Sequence, residues 1–305
     1  MIDELSILMP CYNNECAPLA ARLAAQAEAI IRQGRRLRYE IIVADDGSTD
    51  TFIINKNKLI DTLPNSRYIV RGYNSGRAAI RNYLARAARY ARLLFIDSDM
   101  AVCSPTYIAD YLRLDSADVA YGGYTVRGDG EALRHNLRYI YETRHTKNGT
   151  AAERNKHPYN DFHTSNFMIK RTIMLDHPFD ERFIRYGYED VLFGKTLRRS
   201  GVMITHIDNP LAFDTFETNP QFIAKTEEGT ATLAEFSDEL RDYSTLIAAA
   251  ERLARLHLIK PVTLFYKIFS KTMKNNLTGN KPSLLLLNIY KLGMFCSLKS
   301  RKRQP

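Results

Sequence analysis

The first hundred residues alternate short apolar runs with amphipathic segments, and this alternation is the feature that most limits the possible folds. Two segments, Ala17 to Gln33 and Gly76 to Ala91, place apolar side chains at helical spacing. Four short runs have the composition of buried strands: Leu5–Met9, Tyr39–Ala44, Arg67–Arg71 and Leu93–Ile96. Strands that alternate with helices form a mostly parallel sheet covered on both faces, so the sequence predicts a doubly wound α/β domain.

A polar cluster follows each of these strands. The clusters are Tyr12 to Glu15, Asp45 to Asp50, Asn74 to Arg81 and Asp97 to Asp99. Ligands of parallel α/β sheets bind at the carboxyl ends of the strands, so we expect the functional site there.

The remaining two thirds of the chain are less regular. We expect strands at Val119–Val126 and Phe162–Ile169, and a helix from Val191 to Arg199. Beyond Pro220 the pattern is helical and polar to about His257.

The formal net charge of +9 is concentrated at one end of the chain. Of the 43 Lys and Arg residues, twelve lie between Arg252 and Pro305, where there is no Asp or Glu, so the preceding residues carry 31 basic and 34 acidic side chains. The apolar runs 264–271 and 284–295 are interrupted by lysines or too short to span a membrane, which takes roughly twenty apolar residues. Helices lying on an anionic membrane through residues 255–305 are the favoured interpretation, with a packed extension or a partner-binding surface as alternatives.

Other functions and locations receive no support from the sequence. The residues before the tail carry no basic face or nucleic-acid recognition motif, so no nucleic acid is expected as a partner. The N-terminal residues have neither the basic nor the apolar region of a secretory signal. Four cysteines fit no zinc or disulfide spacing: Cys11, Cys16, Cys103 and Cys296. We expect reduced thiols in a cytoplasmic protein that is peripheral on the inner face of the cell membrane.

Asp97-Ser98-Asp99 directly follows the buried run Leu93–Ile96. Residues i and i+2 of an extended segment point the same way, so both carboxylates face one side. Two hard oxygen ligands suit Mn²⁺ or Mg²⁺, with diphosphate oxygens completing the coordination and the metal neutralising charge on a leaving diphosphate. An isolated Asp-x-Asp is usually a solvated turn, and its position after the fourth strand favours the metal.

Two further clusters could bind the rest of a nucleotide. A carboxylate of the run Asp45–Asp50 could accept a hydrogen bond from a base or a ribose hydroxyl, although such runs also form ordinary turns. Gly76 precedes a helix whose N-terminus favours anions. One helical turn separates Arg77 from Arg81, and either one of them contacts a phosphate or Arg81 pairs with Asp97 or Asp45.

Glu189 and Asp190 precede the predicted helix that ends at Arg199. Acidic residues at a helix start are favourable with the helix dipole, which is the structural interpretation. The functional interpretation makes one of them the general base that deprotonates an acceptor hydroxyl.

In their order along the chain, these motifs resemble family 2 glycosyltransferases over roughly residues 5 to 217. The matching elements are Pro10-Cys-Tyr12-Asn-Asn-Glu15, the Asp45–Asp50 run, Asn74-Ser-Gly76 with Arg81-Asn82, Asp97-Ser98-Asp99, Ser165-Asn166, Phe179 to Phe183 and Glu189-Asp190. The resemblance implies a GT-A fold, a Rossmann-like, mostly parallel sheet, over residues 1–250, with a nucleotide-binding half at about 1–100 and an acceptor-binding half at about 101–220. Residues 251–305 would form a helical C-terminal extension.

The resemblance also implies an activity and a role for each matched residue. The activity is inverting, metal-dependent transfer from a nucleotide-sugar, most simply UDP-linked, to a glycan or lipid-linked acceptor in cell-surface polysaccharide synthesis. Asp190 would be the base, Glu189 would bind or orient the acceptor, and Asp97 and Asp99 would hold the metal. The donor-binding residues would be Pro10, Tyr12, Glu15, Asp45, Asp46, Gly76, Arg81, Asp97 and Ser98.

The third metal ligand is where the sequence departs from the family. Many relatives carry a His in the loop after the Glu-Asp helix, whereas Phe213 or Asp214 falls at that position here. The candidates for the third ligand are, in order of preference, Asp214, His206 on the preceding strand, and a water molecule alone.

Two other functions are weighed against glycosyl transfer. A catalytically inactive sugar-binding or scaffold protein would be expected to have lost the acidic residues, yet they are all present. A sugar-phosphate nucleotidyltransferase would need a Gly-rich signature with a Lys or Arg near the first strand, which Pro10-Cys-Tyr12 does not provide.

Overall fold

The computed structural model describes residues 1–146 and 149–302. They divide into two compact units. The described residues of the first unit fall within Met1–Arg127, Asn148–Ile184 and Glu189–Thr215, and those of the second within Gly128–Lys147, Arg185–Tyr188 and Phe216–Pro305.

The strands all belong to the first unit. They are β1 (Glu4–Cys11), β2 (Arg38–Asp45), β3 (Ser66–Val70), β4 (Arg92–Ile96), β5 (Met100–Val102), β6 (Val119–Tyr121), β7 (Tyr124–Val126), β8 (Asn166–Lys170), β9 (Ile204–His206) and β10 (Leu211–Phe213). Seven of them form one sheet in the order β3-β2-β1-β4-β8-β6-β9, and β5, β10 and β7 form a smaller one.

The helices are shared between the units, with α5 and α9 to α12 in the second. They are α1 (Ala17–Arg32), α2 (Thr51–Asn57), α3 (Arg77–Ala87), α4 (Tyr107–Tyr111), α5 (Leu137–Thr146), α6 (Ala151–Arg154), α7 (Arg171–Asp176), α8 (Glu189–Arg199), α9 (Asn219–Glu235), α10 (Thr245–Arg255), α11 (Ile259–Thr278) and α12 (Leu284–Lys302). Two 3-10 helices lie at Lys58–Thr62 and Arg241–Tyr243.

The large sheet is mostly parallel, as predicted. Strands β1 to β4 are mutually parallel neighbours, and β6 is parallel to β9, whereas β8 runs antiparallel to β4 and β6. Every residue of β4 is buried, and so is every residue of β2 after Arg38. Successive strand residues point to opposite faces, so both faces of the sheet are covered and the doubly wound α/β fold is confirmed.

Three predicted elements differ from the structure by more than two residues at one end or in their number of strands. The strand expected at 119–126 is two strands in different sheets, because Gly122 and Gly123 separate them and Gly123 has a φ of +80°. The strand expected from Phe162 begins only at Asn166. The helix expected to reach Ala91 ends at Ala87, because Ala88 is already extended with a ψ of 142°.

Asn166, at the start of β8, is a fully buried polar side chain whose amide is saturated with hydrogen bonds. Its Oδ1 accepts from the hydroxyls of Tyr107 (2.6 Å) and Tyr111 (2.8 Å). Its Nδ2 donates to the carbonyl oxygens of Gly123 (2.7 Å) and Asn209 (3.0 Å). One side chain therefore ties β8 to α4 and to the ends of β6 and β9.

The second unit is helical, with a core shared by α5, α9, α11 and α12. The cluster comprises Leu137, Phe222, Ile223, Met273, Leu277, Leu287 and Tyr290. Because α9 packs with α11 and α12, this unit takes in the described residues from 216 onward as well as the extension expected at 251–305. Among the described helices, none is both long and apolar enough to span a bilayer.

We expect Asn166→Ala to lower the free energy of unfolding by about 3 kcal/mol or more, because each buried group left unpaired costs about 1–3 kcal/mol. Urea denaturation followed by circular dichroism measures the change. The exposed Asn280→Ala is the matched control and should stay within about 0.5 kcal/mol of the parent. Equal stability of both variants would contradict the role of Asn166.

Candidate active site

The carboxyl ends of three parallel strands meet at one edge of the large sheet. The register pairs Cys11, the last residue of β1, with Asp45, the last residue of β2. On the other side of β1, Leu8 pairs with Phe95 of β4, one residue before that strand ends. The polar clusters that follow these strands are therefore neighbours, as the sequence analysis expects.

Hydrogen bonds connect the loops that leave this edge. The Nδ2 group of Asn14 donates to the carbonyl oxygen of Ser98 at 2.6 Å. The Oδ1 atom of Asn13 accepts from the backbone N–H groups of Thr49 (2.9 Å) and Asp50 (3.1 Å). The loop after β1 is thus fixed both to the Asp-x-Asp turn and to the start of α2.

Asp46 is a buried carboxylate that holds the loop before α3. Its Oδ1 accepts from the guanidinium of Arg71 (2.9 Å) and the hydroxyl of Ser75 (2.7 Å), and its Oδ2 from the backbone N–H groups of Ser75 (3.0 Å) and Gly76 (2.9 Å). Gly76 has a φ of +89°, and a Cβ there would lie 2.8 Å from the carbonyl oxygen of Ile184. Both predicted donor-binding residues therefore shape the loop that presents α3.

Asp45 is fully buried, and both of its carboxylate oxygens accept hydrogen bonds within the protein. Oδ1 accepts from the backbone N–H of Ser48 at 2.7 Å, and Oδ2 accepts from the hydroxyl of Tyr68. Burial, together with this carboxylate, raises the pKa of Tyr68 above its ordinary value. Asp45 is engaged in the wall of the site, and its contact with a nucleoside stays a prediction.

The predicted donor-binding residues of the first loop are more accessible. Tyr12 is 48% exposed, and Pro10, at the end of β1, is half-buried. Glu15 forms an ion pair with Lys56 of α2, with 2.6 Å between Nζ and Oε2. An accessible aromatic ring at this edge can stack against a base, because every base presents a π face.

Arg81 connects the Asp-x-Asp turn with the start of α8. Its guanidinium is 1% exposed, with Nη2 2.6 Å from Oδ1 of Asp97 and Nη1 3.7 Å from Oε1 of Glu189. Arg77, one turn earlier and 45% exposed, lies 3.8 Å from the same Glu189 oxygen. The sequence left open whether Arg77 or Arg81 contacts a phosphate or Arg81 pairs with Asp97 or Asp45. The structure contains the pair of Arg81 with Asp97.

Glu189 and Asp190 are adjacent, yet their environments shift the two pKa values in opposite directions. Burial, together with the charge of Asp190, raises the pKa of Glu189 against the effect of Arg77 and Arg81. Burial disfavours the charge of Asp190, but the hydrogen bond and charge of His163, the backbone N–H of Val191 and the charge of Arg81 together lower the pKa of Asp190. Environments that separate the pKa values of two carboxyl groups are typical of acid–base sites, and Asp190 is the one held ionised.

His163 is a site residue that the sequence analysis missed. Its Nδ1 lies 3.2 Å from Oδ2 of Asp190. The two residues are 27 positions apart, and His163 lies in a segment that was expected to be a strand, so no spacing rule pointed to it. Only its position next to Asn166, whose family motif begins at Ser165, could have drawn attention to it.

Asp99 and Asp214 flank the same end of the smaller sheet. Met100 of β5 pairs with Phe213 of β10 in antiparallel register, and Asp99 directly precedes Met100 while Asp214 directly follows Phe213. Both residues are exposed.

No three His, Cys, Asp or Glu side chains converge on a ready-made metal site in residues 1–146 and 149–302. The donor set nevertheless fits a hard divalent cation, because Mg²⁺ and similar ions are commonly held by one or two carboxylates plus substrate phosphates. Asp97, Asp99 and Asp214 supply such carboxylates.

His206 is engaged elsewhere in the fold. It is 3% exposed, its Nδ1 accepts from the guanidinium of Arg154 at 3.2 Å, and its Nε2 lies 2.8 Å from the carbonyl oxygen of Pro158. Burial lowers the pKa of His206, which keeps the ring neutral. Because both ring nitrogens have protein partners, Asp214 is the better candidate for a third metal ligand.

Comparison with known proteins places this α/β fold among the sugar transferases. The model of the glycosyl transferase family 2 matches residues 6–177, more than half of the chain, and the protein belongs to that family. It is 28% identical over 255 residues to chondroitin synthase of Escherichia coli, covering 70% of this chain and 35% of that protein. The chain thus spans about a third of the length of this curated relative.

Solved structures share the fold at low sequence identity. A mannosyltransferase, PcManGT of Pyrobaculum calidifontis in complex with GDP-Man and Mn²⁺, aligns with a TM-score of 0.54 and 14% identity, covering 98% of this chain and 86% of that one. A fragment of S. aureus TarS in complex with UDP-GlcNAc aligns with a TM-score of 0.51 and 15% identity, covering 99% and 92%. These likenesses confirm the GT-A fold that the motifs implied.

We expect Arg81→Met to lower the free energy of unfolding by about 3–5 kcal/mol at neutral pH, because it leaves the buried Glu189 with only the half-exposed Arg77 and removes the cation paired with Asp97. Without Arg81 the raised pKa of Glu189 rises further, so the folded variant takes up a proton at a higher pH than the unfolded chain. The deficit against the parent should therefore shrink as pH falls toward 5, as denaturant titrations at several pH values would show.

The matched control is Arg77→Met, which removes an exposed guanidinium from the same helix. It should cost about 0–1 kcal/mol, as exposed ion pairs do. Equal losses in the two variants would contradict the central role of Arg81.

Proposed function

We propose that this protein transfers a sugar, with inversion, from a UDP-linked donor to a hydroxyl of a glycan or lipid-linked acceptor in cell-surface polysaccharide synthesis. The observation that supports this most strongly is the buried Arg81, which pairs with both Asp97 and Glu189. One cation thereby sets the donor-side turn beside the helix that carries the base. TarS bound to UDP-GlcNAc and the chondroitin synthase relative also support a UDP-sugar and a polysaccharide product.

On the donor side, Asp97, Asp99 and Asp214 would hold Mn²⁺ or Mg²⁺ together with the diphosphate. The metal would stabilise negative charge on the departing diphosphate. Tyr12 would stack on the base, and Arg81 would keep Asp97 in place. Ser98 and Asn14, joined by their 2.6 Å hydrogen bond, would fix the turn against the loop after β1.

On the acceptor side, Asp190 would act as the general base and Glu189 would orient the acceptor. As the acceptor oxygen bonds to the anomeric carbon, its proton passes to the carboxylate of Asp190 and the bond from that carbon to the diphosphate oxygen breaks. Attack and departure occur on opposite faces of the sugar in a single displacement, so the anomeric configuration inverts.

The donor side can be tested with a panel of UDP- and GDP-sugars, measuring release of nucleoside diphosphate with Mn²⁺, Mg²⁺ or chelator. We expect activity with a UDP-sugar that chelator abolishes and metal restores. Asp99→Asn and Asp214→Asn should each raise the metal concentration required, because each removes a charged ligand. The exposed Asp208→Asn is the matched control and should not change it.

Full activity of Asp99→Asn in excess chelator would rule out the metal site. Activity with GDP-sugars alone would rule out the UDP donor but leave the transfer reaction standing.

We further propose that α11 binds an anionic membrane surface, which would make the protein peripheral on the cytoplasmic face of the cell membrane. One side of this helix exposes four large apolar residues: Leu264 (58%), Phe265 (46%), Ile268 (61%) and Phe269 (44%). Their spacing of i, i+1, i+4 and i+5 sets them on one helical face. Lys260, Lys267 and Lys271 are exposed on the same helix, so apolar insertion and attraction to anionic lipid headgroups would act together.

Co-sedimentation with vesicles tests this surface. Binding to phosphatidylcholine vesicles containing phosphatidylserine should weaken as salt rises, since each Lys near the surface contributes about 1 kcal/mol that salt screens, but it should not vanish. Phe265→Ala with Phe269→Ala should remove the salt-resistant part. The exposed Phe52→Ala, in the first unit, is the matched control. Unchanged binding of the double variant would refute the assignment of this face.

A further inference from the structure

The carboxylate of Asp190 is held from two sides. Its Oδ1 accepts the backbone N–H of Val191 at 2.8 Å, and its Oδ2 lies 3.2 Å from Nδ1 of His163. An ionised carboxylate can only accept hydrogen bonds, so the imidazole donates from Nδ1. The backbone bond orients one oxygen, and the imidazole orients the other.

The ring of His163 is itself held between two aromatic side chains. Its centroid lies 6.2 Å from that of Tyr121 and 6.0 Å from that of Tyr124, in edge-to-face geometry with both. Edge-to-face aromatic pairs of this kind stabilise one ring orientation. At the same time 46% of the side chain is exposed, so the ring borders solvent at the site.

We propose that His163 is the positioning residue of the catalytic base: it fixes the orientation of the Asp190 carboxylate and keeps that group ionised for the acceptor. This inference rests on the proposed function of Asp190 as the base. A carboxylate that must accept a proton is useful only when it is ionised and when one lone pair faces the acceptor hydroxyl. The hydrogen bond from the backbone of Val191 orients Oδ1 of Asp190 but does not by itself fix Oδ2, which faces His163.

The surrounding charges assign this effect to His163. Glu189, the other acid beside Asp190, repels its charge and has a raised pKa. Among the groups that lower the pKa of Asp190, Val191 contributes a backbone hydrogen bond and Arg81 a charge, whereas His163 contributes both a hydrogen bond and a charge. His206, which also contacts the ring of Tyr121, is buried, and its lowered pKa favours the neutral ring, so it adds little charge near His163.

The contact can be measured without any substrate, by NMR titration of the full chain labelled at histidine. The sequence has seven histidines, and His163→Asn identifies the resonance by its loss. Asp190→Asn removes an opposite charge, so it should lower the pKa of His163 by about one unit or more. The exposed carboxylate of Asp161 lies two residues away in sequence, and Asp161→Asn should shift the pKa of His163 much less. An unmoved pKa of His163 in Asp190→Asn would refute the contact.

Transfer from the UDP-sugar identified by the donor panel then tests the role. His163→Ala should lower kcat/KM by about tenfold or more, less than the roughly 10²–10⁴-fold loss expected for Asp190→Asn. Its acidic limb should move to higher pH, because Asp190 without its donor has a higher pKa and is protonated sooner. His163→Asn offers an amide near the position of Nδ1 and should restore much of the rate, whereas His163→Gln, whose amide reaches the position of Nε2, should not.

The outcomes separate this inference from the function on which it rests. An acidic limb that stays in place in His163→Ala, with a reduced rate, would show a merely structural role and overturn the proposal. Wild-type transfer by Asp190→Asn would instead refute the base itself, even if the NMR titration had established the contact.

Discussion

One buried cation, Arg81, is the constraint on which the site depends. A guanidinium with 1% exposure must be paired, because an isolated buried charge is prohibitively costly. Its partners Asp97 and Glu189 lie on elements that are nearly a hundred residues apart in sequence. Its helix is fixed at the start by Asp46, which binds the backbone of Gly76, and along its length by Asn82, which exchanges two 2.9 Å hydrogen bonds with the backbone of Phe179. The position of the donor-side turn therefore depends on the position of α3.

The different roles that we propose for Glu189 and Asp190 rest on their surroundings, because the two side chains carry the same chemical group. Both are carboxylates in the first turn of α8, where the helix dipole favours negative charge on either one. Glu189 is 5% exposed and faces two guanidinium groups, whereas Asp190 contacts the edge of an imidazole. A fixed ion-pair network suits an orienting group, and a partly accessible carboxylate held by one backbone N–H and one imidazole suits a group that exchanges protons.

The features of the fold and the site that could be predicted from the sequence are those set by local patterns, and the ones that could not are set by contacts between distant segments. The alternation of strands and helices, and the clusters that follow the strands, are local patterns, so the sheet edge and Asp97 were found from the sequence. Other contacts join segments that are distant in sequence, and no rule of residue spacing predicts them. Examples are the contact of His163 with Asp190 and the four hydrogen bonds that Asp46 accepts from Arg71, Ser75 and Gly76. The same holds for α9, whose polar sequence gives no sign that Phe222 and Ile223 pack with the C-terminal helices.

Helix α11 has a buried and an exposed group of apolar residues, which lie in successive stretches of the helix. Met273 and Leu277 of α11 are buried in the cluster with α9 and α12, and they supply the apolar burial that stabilises the second unit. Leu264, Phe265, Ile268 and Phe269 contribute nothing comparable, because they remain between 44% and 61% exposed. The apolar content of α11 thus exceeds what its own core requires. This excess lies at residues 264–269, is flanked by lysines and belongs to a segment without acidic residues, and these features support the proposal that α11 binds a membrane surface.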